Sequence, residues 1–136
     1  MRFTVEELYN IPVTYIEYFL ENDYMITISD EFMRQMLATT RKYCVVILKV
    51  GPKRNEEGVE KIIWEHVRRN FALRSEGKLS IVCPISDGSD VTGVGIFNAD
   101  IEEVKMIMDE DPGVKAGVIV YEIHASRSFP GDSLPK

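Results

Sequence analysis

The sequence predicts an α+β protein: one ferredoxin-like β-α-β-β-α-β domain over residues 43–124, preceded by a helical N-terminal arm over 1–42 and followed by a C-terminal tail over 125–136. Three observations predict this. Four runs of strand length, YCVVILKV, LSIVC, VTGVGIF and GVIVYEIH, are rich in β-branched residues. Segments of helical period lie between the first and second and between the third and fourth, while only the turn-rich SDGSD separates the second from the third. That order is the split β-α-β arrangement.

The chain of 136 residues is long enough to bury one core without disulfides or a structural metal. Apolar residues make up 45% of it and charged residues 28%, a globular composition that argues against disorder and against a membrane span. The net charge of −6 is spread along the chain without a lysine or arginine cluster, so nucleic acid is not an expected partner. Cys44 and Cys83 sit in separate apolar runs and form no disulfide framework. The opening MRFTVEELYN lacks a basic segment followed by a continuous apolar stretch, so no secretory signal and a cytoplasmic setting are expected.

Along the arm, Thr4 and Glu7 have capping-box spacing, Pro12 breaks or restarts a helix, and Ser29 can cap a second one carrying Phe32, Met36 and Leu37. Tyr15, Ile16, Tyr18, Phe19 and Leu20 give the arm more apolar surface than two short helices bury alone. Tyr43–Val50 is β-branched and continuous, and Gly51-Pro52 ends it. A helix is expected from Glu56 to Glu76, with Gly77 as its C′ residue. Strands follow at Leu79–Cys83 and Val91–Phe97. Asp100 and Glu103 open a helix that Asp111-Pro112-Gly113 closes, and Gly117–His124 is the last strand. On the first and last strands both faces are apolar, so the sheet face away from the helices needs cover, either from a second copy of the chain or from the arm.

On a wheel of about 100° per residue, Val59, Ile62, Ile63, Val67 and Leu73 share one arc of the long helix, and His66 and Asn70 fall within it. Trp64 and Phe71 lie on the flank of that helix, where docking of the arm or a partner is the simpler use for them. Two polar side chains aimed at the sheet need partners, and their i, i+4 spacing lets them share one pocket. A satisfied core histidine would carry the same pattern. The alternative is acid/base chemistry, for which imidazole suits neutral pH once a carboxylate or carbonyl fixes its tautomer. Asp87 and Asp90 flank Gly88-Ser89 beyond the second strand and are candidate carboxylates, although Asp-Gly is also a turn dipeptide for backbone reasons alone. Asp111 has the same double reading as a helix-stop residue. His66 and His124 are too far apart in sequence for a short ligand motif, and no Cys-x-x-Cys is present, so no metal is expected. Gly93 and Gly95 lie inside a strand, where they favour close packing or a bulge over a phosphate loop; no cofactor is expected.

Four features together resemble the YCII-related family of dimeric α+β barrels over roughly 80 residues. They are the opening strand with Gly51-Pro52, His66 followed by EGKL at 76–79, the strand ending in Pro84 with Asp87 beyond it, and above all DPGVKAGV at 111–118. The resemblance implies a homodimer with a pocket between helices and sheet, and a histidine-aspartate pair in its active site. On it His66 is the base and Asp87 its orienting carboxylate, with Asp111 as the alternative. From their positions near that histidine and in the loop, Asn70, Asp90 and Asp111 are expected at the substrate. It implies a small-molecule lyase or isomerase. A non-catalytic module that binds a small ligand or a protein partner is the competing reading. Cys83 where a glycine is usual, the short hairpin, the arm and the tail depart from the family pattern.

Overall fold

The computed structural model describes residues 2–9 and 25–136. Pro12, Tyr15, Ile16, Tyr18, Phe19 and Leu20 lie outside them. The chain divides into two compact units, residues 41–128 and residues 1–40 with 129–136.

In the smaller unit, β1 (Arg2–Thr4) pairs in parallel with β2 (Met25–Thr27), α1 covers Val5–Tyr9, and α2 covers Asp30–Ala38. The expected caps form. Thr4 N donates to Glu7 Oε2 at 2.8 Å and Glu7 N to Thr4 Oγ1 at 3.3 Å, a capping box, while Phe32 N donates to Ser29 Oγ at 3.0 Å. An all-helical arm is not what is found. Strands of three residues are too short to show a period, so β1 and β2 leave no trace in the hydrophobic pattern.

The larger unit is a mixed α+β structure. Its elements are β3 (Arg41–Val50), α3 (Val59–Ser75), β4 (Leu79–Pro84), β5 (Val91–Phe97), α4 (Ile101–Asp109), α5 (Pro112–Lys115) and β6 (Ile119–Ser128). The sheet order is β4-β5-β3-β6 and every pairing is antiparallel, an order compatible with the ferredoxin-like arrangement. Three boundaries differ from the sequence reading. β6 runs through Ser128 and pairs with β3 from Arg41 onward, so residues 125–128 are strand and not tail. Ala125-Ser126-Arg127-Ser128 has no apolar alternation; the backbone ladder alone extends the strand. α3 starts at Val59, because residues 51–58 are held as a turn by bonds from Gly51 N to Val118 O and from Lys53 N to Gly117 O, both 2.9 Å. The stop at Asp111-Pro112-Gly113 is also the start of α5.

Register fixes what each face of the sheet presents. Val46 pairs with Gly95 and Ile123, and Leu48 with Gly93 and Tyr121, so these positions share the face that packs on the helices. The core there is built from Cys44, Val46, Leu73, Leu79, Phe97, Val104 and Met108. A second cluster, Val59, Val118 and Ile119, closes the end where Gly51 meets the 117–118 backbone. A Cβ on Gly51 would stand 2.3 Å from Gly117 O, so only glycine permits that approach. The other face carries Val45, Ile47, Val94 and Ile96, all half-buried, with Lys49 bonded to Glu122 at 2.7 Å.

Candidate functional site

His66 lies on the face of α3 that packs on the sheet and is buried, 7% exposed. Its Nδ1 is 2.8 Å from Asp111 Oδ2, and Asp111 is 1% exposed. A carboxylate only accepts, so Nδ1 carries the proton and Nε2 presents a lone pair. Asn70, one turn further along α3, fills that position by donating from Nδ2 at 3.1 Å. The result is a chain Asp111–His66–Asn70 in which each link fixes the next.

Asp111 is held by its own backbone context. It is the N-cap of α5, and its Oδ1 accepts from Gly113 N at 2.8 Å and Val114 N at 3.3 Å. One oxygen therefore caps a helix and the other orients an imidazole. Burial pushes the Asp111 carboxyl up, but the His66 hydrogen bond and charge, with the two N–H groups, outweigh it and hold the group below its ordinary value. Arg69 Nη1 donates to Ile107 O at 2.6 Å and stands 3.8 Å from Asp111 Oδ2.

Beside this chain is a cavity of about 240 Å³ between α3 and the sheet. Its walls are mostly apolar, with His66, Asn70, Arg54 and Thr92 among the polar residues that line it. Gly93 and Gly95 supply part of its floor. They occupy successive positions on the helix-facing side of β5, where any other residue would project a side chain. Close packing accounts for part of their use, since a Cβ on Gly95 would be 3.1 Å from Leu79 Cδ1. The register shift between Leu48 and Lys49 beside Gly93 is the expected irregularity.

The structure brings together His66, Asn70 and Asp111. Asp87 does not join them: it is exposed, and its Oδ1 accepts from Ser89 N at 3.0 Å and Ser89 Oγ at 2.6 Å. Those bonds lower its pKa as expected of a turn aspartate. The expected His66–Asp87 pair does not form: Asp111 stands at His66 Nδ1, and Asp87 is exposed with Oδ1 bonded inside its own turn. Asp90 is exposed as well; its carbonyl accepts from Val50 N at 2.9 Å, and it is not among the cavity-lining residues. Arg54 and Arg69 escaped the sequence reading, since isolated arginines next to a turn or on a helix look like solvated surface.

Other reactive groups lie apart from this chemistry. Burial, then the Asp100 charge, pushes the Cys44 thiol up, as for a packing group. Tyr121 is pushed up to about 12 by burial and by its hydrogen bond to Asp109. Trp64 and Phe71 are 63% and 60% exposed; Phe71 lines the cavity, and Trp64 borders an adjoining groove. Among the described residues no three His, Cys, Asp or Glu side chains come together so as to hold a metal ion. No described helix is long and apolar enough to cross a membrane.

No family model and no curated protein matches the chain. Among solved structures it is similar to the 5-chloro-2-hydroxyhydroquinone dehydrochlorinase TftG from Burkholderia phenoliruptrix AC1100, in complex with 2,5-dihydroxybenzoquinone. The identity is 20%, the match covers 60% of this chain and 90% of that one, and the TM-score is 0.42. A likeness that distant carries no argument about the chemistry of this chain.

Proposed function

We propose that residues 41–128 are a YCII-like unit of the dimeric α+β barrel kind, and that the protein is a small-molecule acid/base enzyme of the lyase or isomerase type with His66 as its base. The observation that carries this is the Asp111–His66–Asn70 chain running from the buried interior to the wall of an apolar cavity. His66 Nε2 takes a proton from a carbon next to a carbonyl, and Asp111 holds the imidazolium through Nδ1. Once protonated, Nε2 becomes a donor, so the Asn70 amide must turn over to offer Oδ1. The carbanion's electron pair then either shifts through an adjoining double bond, so that the far carbon takes the proton back from His66, which is isomerisation, or expels a leaving group from the adjacent carbon, after which His66 gives its proton to water. Neither route needs a cofactor.

The fold reading includes a homodimer joined across the second sheet face. Val45, Ile47, Val94 and Ile96 run side by side there, and Val120 on the same face is 43% exposed. Apolar rows of this kind are removed from water by pairing. A sedimentation series over protein concentration checks it, with a monomer at every concentration as the contrary outcome.

One observation favours the competing reading of a non-catalytic ligand pocket: both ring nitrogens of His66 already have partners. Solvent exchange separates the two. In D₂O, with a panel of small cyclic ketones and lactones followed by NMR, the enzyme reading predicts loss of an acidic C–H signal with wild type and none with His66→Gln. Probes that bind wild type without any exchange would leave the ligand pocket standing and remove the enzyme.

A further inference from the structure

The cavity's charge is as informative as its histidine. Among the described residues no aspartate or glutamate lines it, and Arg54 is the one permanently charged side chain that does. This contrasts with a chain whose net charge is −6. Arg54 is half-buried, and among the described residues it has no ion pair, whereas Arg69 is committed to Ile107 O and Asp111. A half-buried guanidinium without a carboxylate leaves five donors in a planar fork without a matching acceptor.

The backbone under Arg54 is rigid. Its own N donates to Gly51 O at 3.2 Å, and the turn is tied to residues 117 and 118 by the Gly51 and Lys53 N–H bonds already described. The close approach at Gly51 keeps that turn from shifting. Fixing the stem in advance reduces the entropy lost when the fork closes on a ligand. The cavity lies below the range of about 300–1,000 Å³ typical of drug-sized ligands, which limits the occupant to about one ring.

We propose that Arg54 is the anion-recognition residue of this cavity and that the natural ligand is a single-ring compound bearing a carboxylate. The fork of arginine matches a carboxylate with two parallel hydrogen bonds, a geometry that a neutral amide cannot reproduce. His66 and Asn70 then meet the uncharged part of the same ring. The proposal rests on reading the cavity as a ligand pocket, and it holds whether or not His66 turns the ligand over.

Benzoate and benzamide, equal in shape and different in charge, test it by calorimetry on the full chain. Wild type should bind benzoate about tenfold more tightly than benzamide, the ratio that corresponds to about 1.4 kcal/mol. Arg54→Gln should bring the ratio close to one, Arg54→Lys should keep part of it, and His66→Gln should preserve it. Equal binding of the two probes to wild type, a ratio that survives Arg54→Gln, or no benzoate binding at millimolar concentration would each overturn the proposal; the second is what an arginine that only lays its stem over apolar surface would give. A preserved ratio without deuterium exchange in the earlier experiment would remove the proton transfer and leave the anion site in place.

Discussion

The turns at Asp87 and Asp111 begin from the same local chemistry and end in different places. In each, an aspartate Oδ1 accepts from backbone N–H groups two or three residues ahead, next to a glycine. At residues 87–90 the second acceptor site goes to the Ser89 hydroxyl and the turn faces solvent. At residues 111–114 the second oxygen reaches across the fold to His66, and the aspartate is buried. What distinguishes a site carboxylate from a turn carboxylate is therefore what stands opposite it in the fold, which neither turn encodes locally.

The largest expected effect in that comparison is Asp111→Ala against Asp87→Ala. Removing Asp111 leaves buried His66 Nδ1 without its acceptor and uncaps α5, a loss of about 3 kcal/mol from the two together. Asp87→Ala should stay within about 0.5 kcal/mol, as for an ordinary surface change. Urea denaturation of the two variants checks both, and equal losses would break the distinction.

The glycines of the two turns come next. A Cβ on Gly113 would stand 2.6 Å from Ile119 Cδ1, itself 2% exposed, and 3.1 Å from Asp111 Oδ1. Gly113→Ala should cost about 1–3 kcal/mol through overpacking, and it should also disturb His66. Gly88 has φ +81° and open space around it, so Gly88→Ala should cost about 1 kcal/mol through backbone strain alone. The NMR signals of His66 should move in the first variant and not in the second.

Acid stability sharpens the comparison further. The Asp111 carboxyl lies below its ordinary value of 3.8. The unfolded chain therefore binds the proton more readily, and the stabilisation is fully present above that value and lost as pH falls through the folded one. Asp111→Asn, with no charge to titrate, should flatten the acid limb of the stability curve, while Asp87→Asn, which removes a carboxyl that is also lowered but fully exposed to solvent, should flatten it less. Arg69→Met should have a modest effect. Losing the bond to Ile107 O should cost about 1 kcal/mol, read by urea denaturation.

The same comparison explains how far the sequence could be read. The strands and the two longer helices of the larger unit follow from runs of five or more residues whose period matches their burial, whereas the four-residue α5 does not, and Ser29, Asp100, Gly77 and the Thr4–Glu7 box announce the ends they make. His66 and Asn70 were legible for the same reason: two polar residues inside an apolar arc of one helix. Their partner was not. Choosing between Asp87 and Asp111 requires knowing that α5 packs beside α3, a tertiary fact separated from His66 by 45 positions. Residues 125–128 and the strands β1 and β2 were missed because backbone pairing makes them, with no side-chain period to mark it. In the sequence the glycines of β5 mark close packing or a bulge, and the space they leave depends on α3 lying across them.

The central claim is that His66 is an acid/base group whose Nδ1 proton is held by Asp111 and whose Nε2 faces Asn70 and the cavity. Nitrogen-15 NMR of the imidazole at neutral pH, with and without benzoate and with His66→Gln as the assignment control, reads both the tautomer and the contact with a ligand. The expected result is a ring that carries its proton on Nδ1 and whose Nε2 signal shifts when benzoate is added. A ring protonated at Nε2, or one whose signals respond to no probe, would make His66 a structural residue.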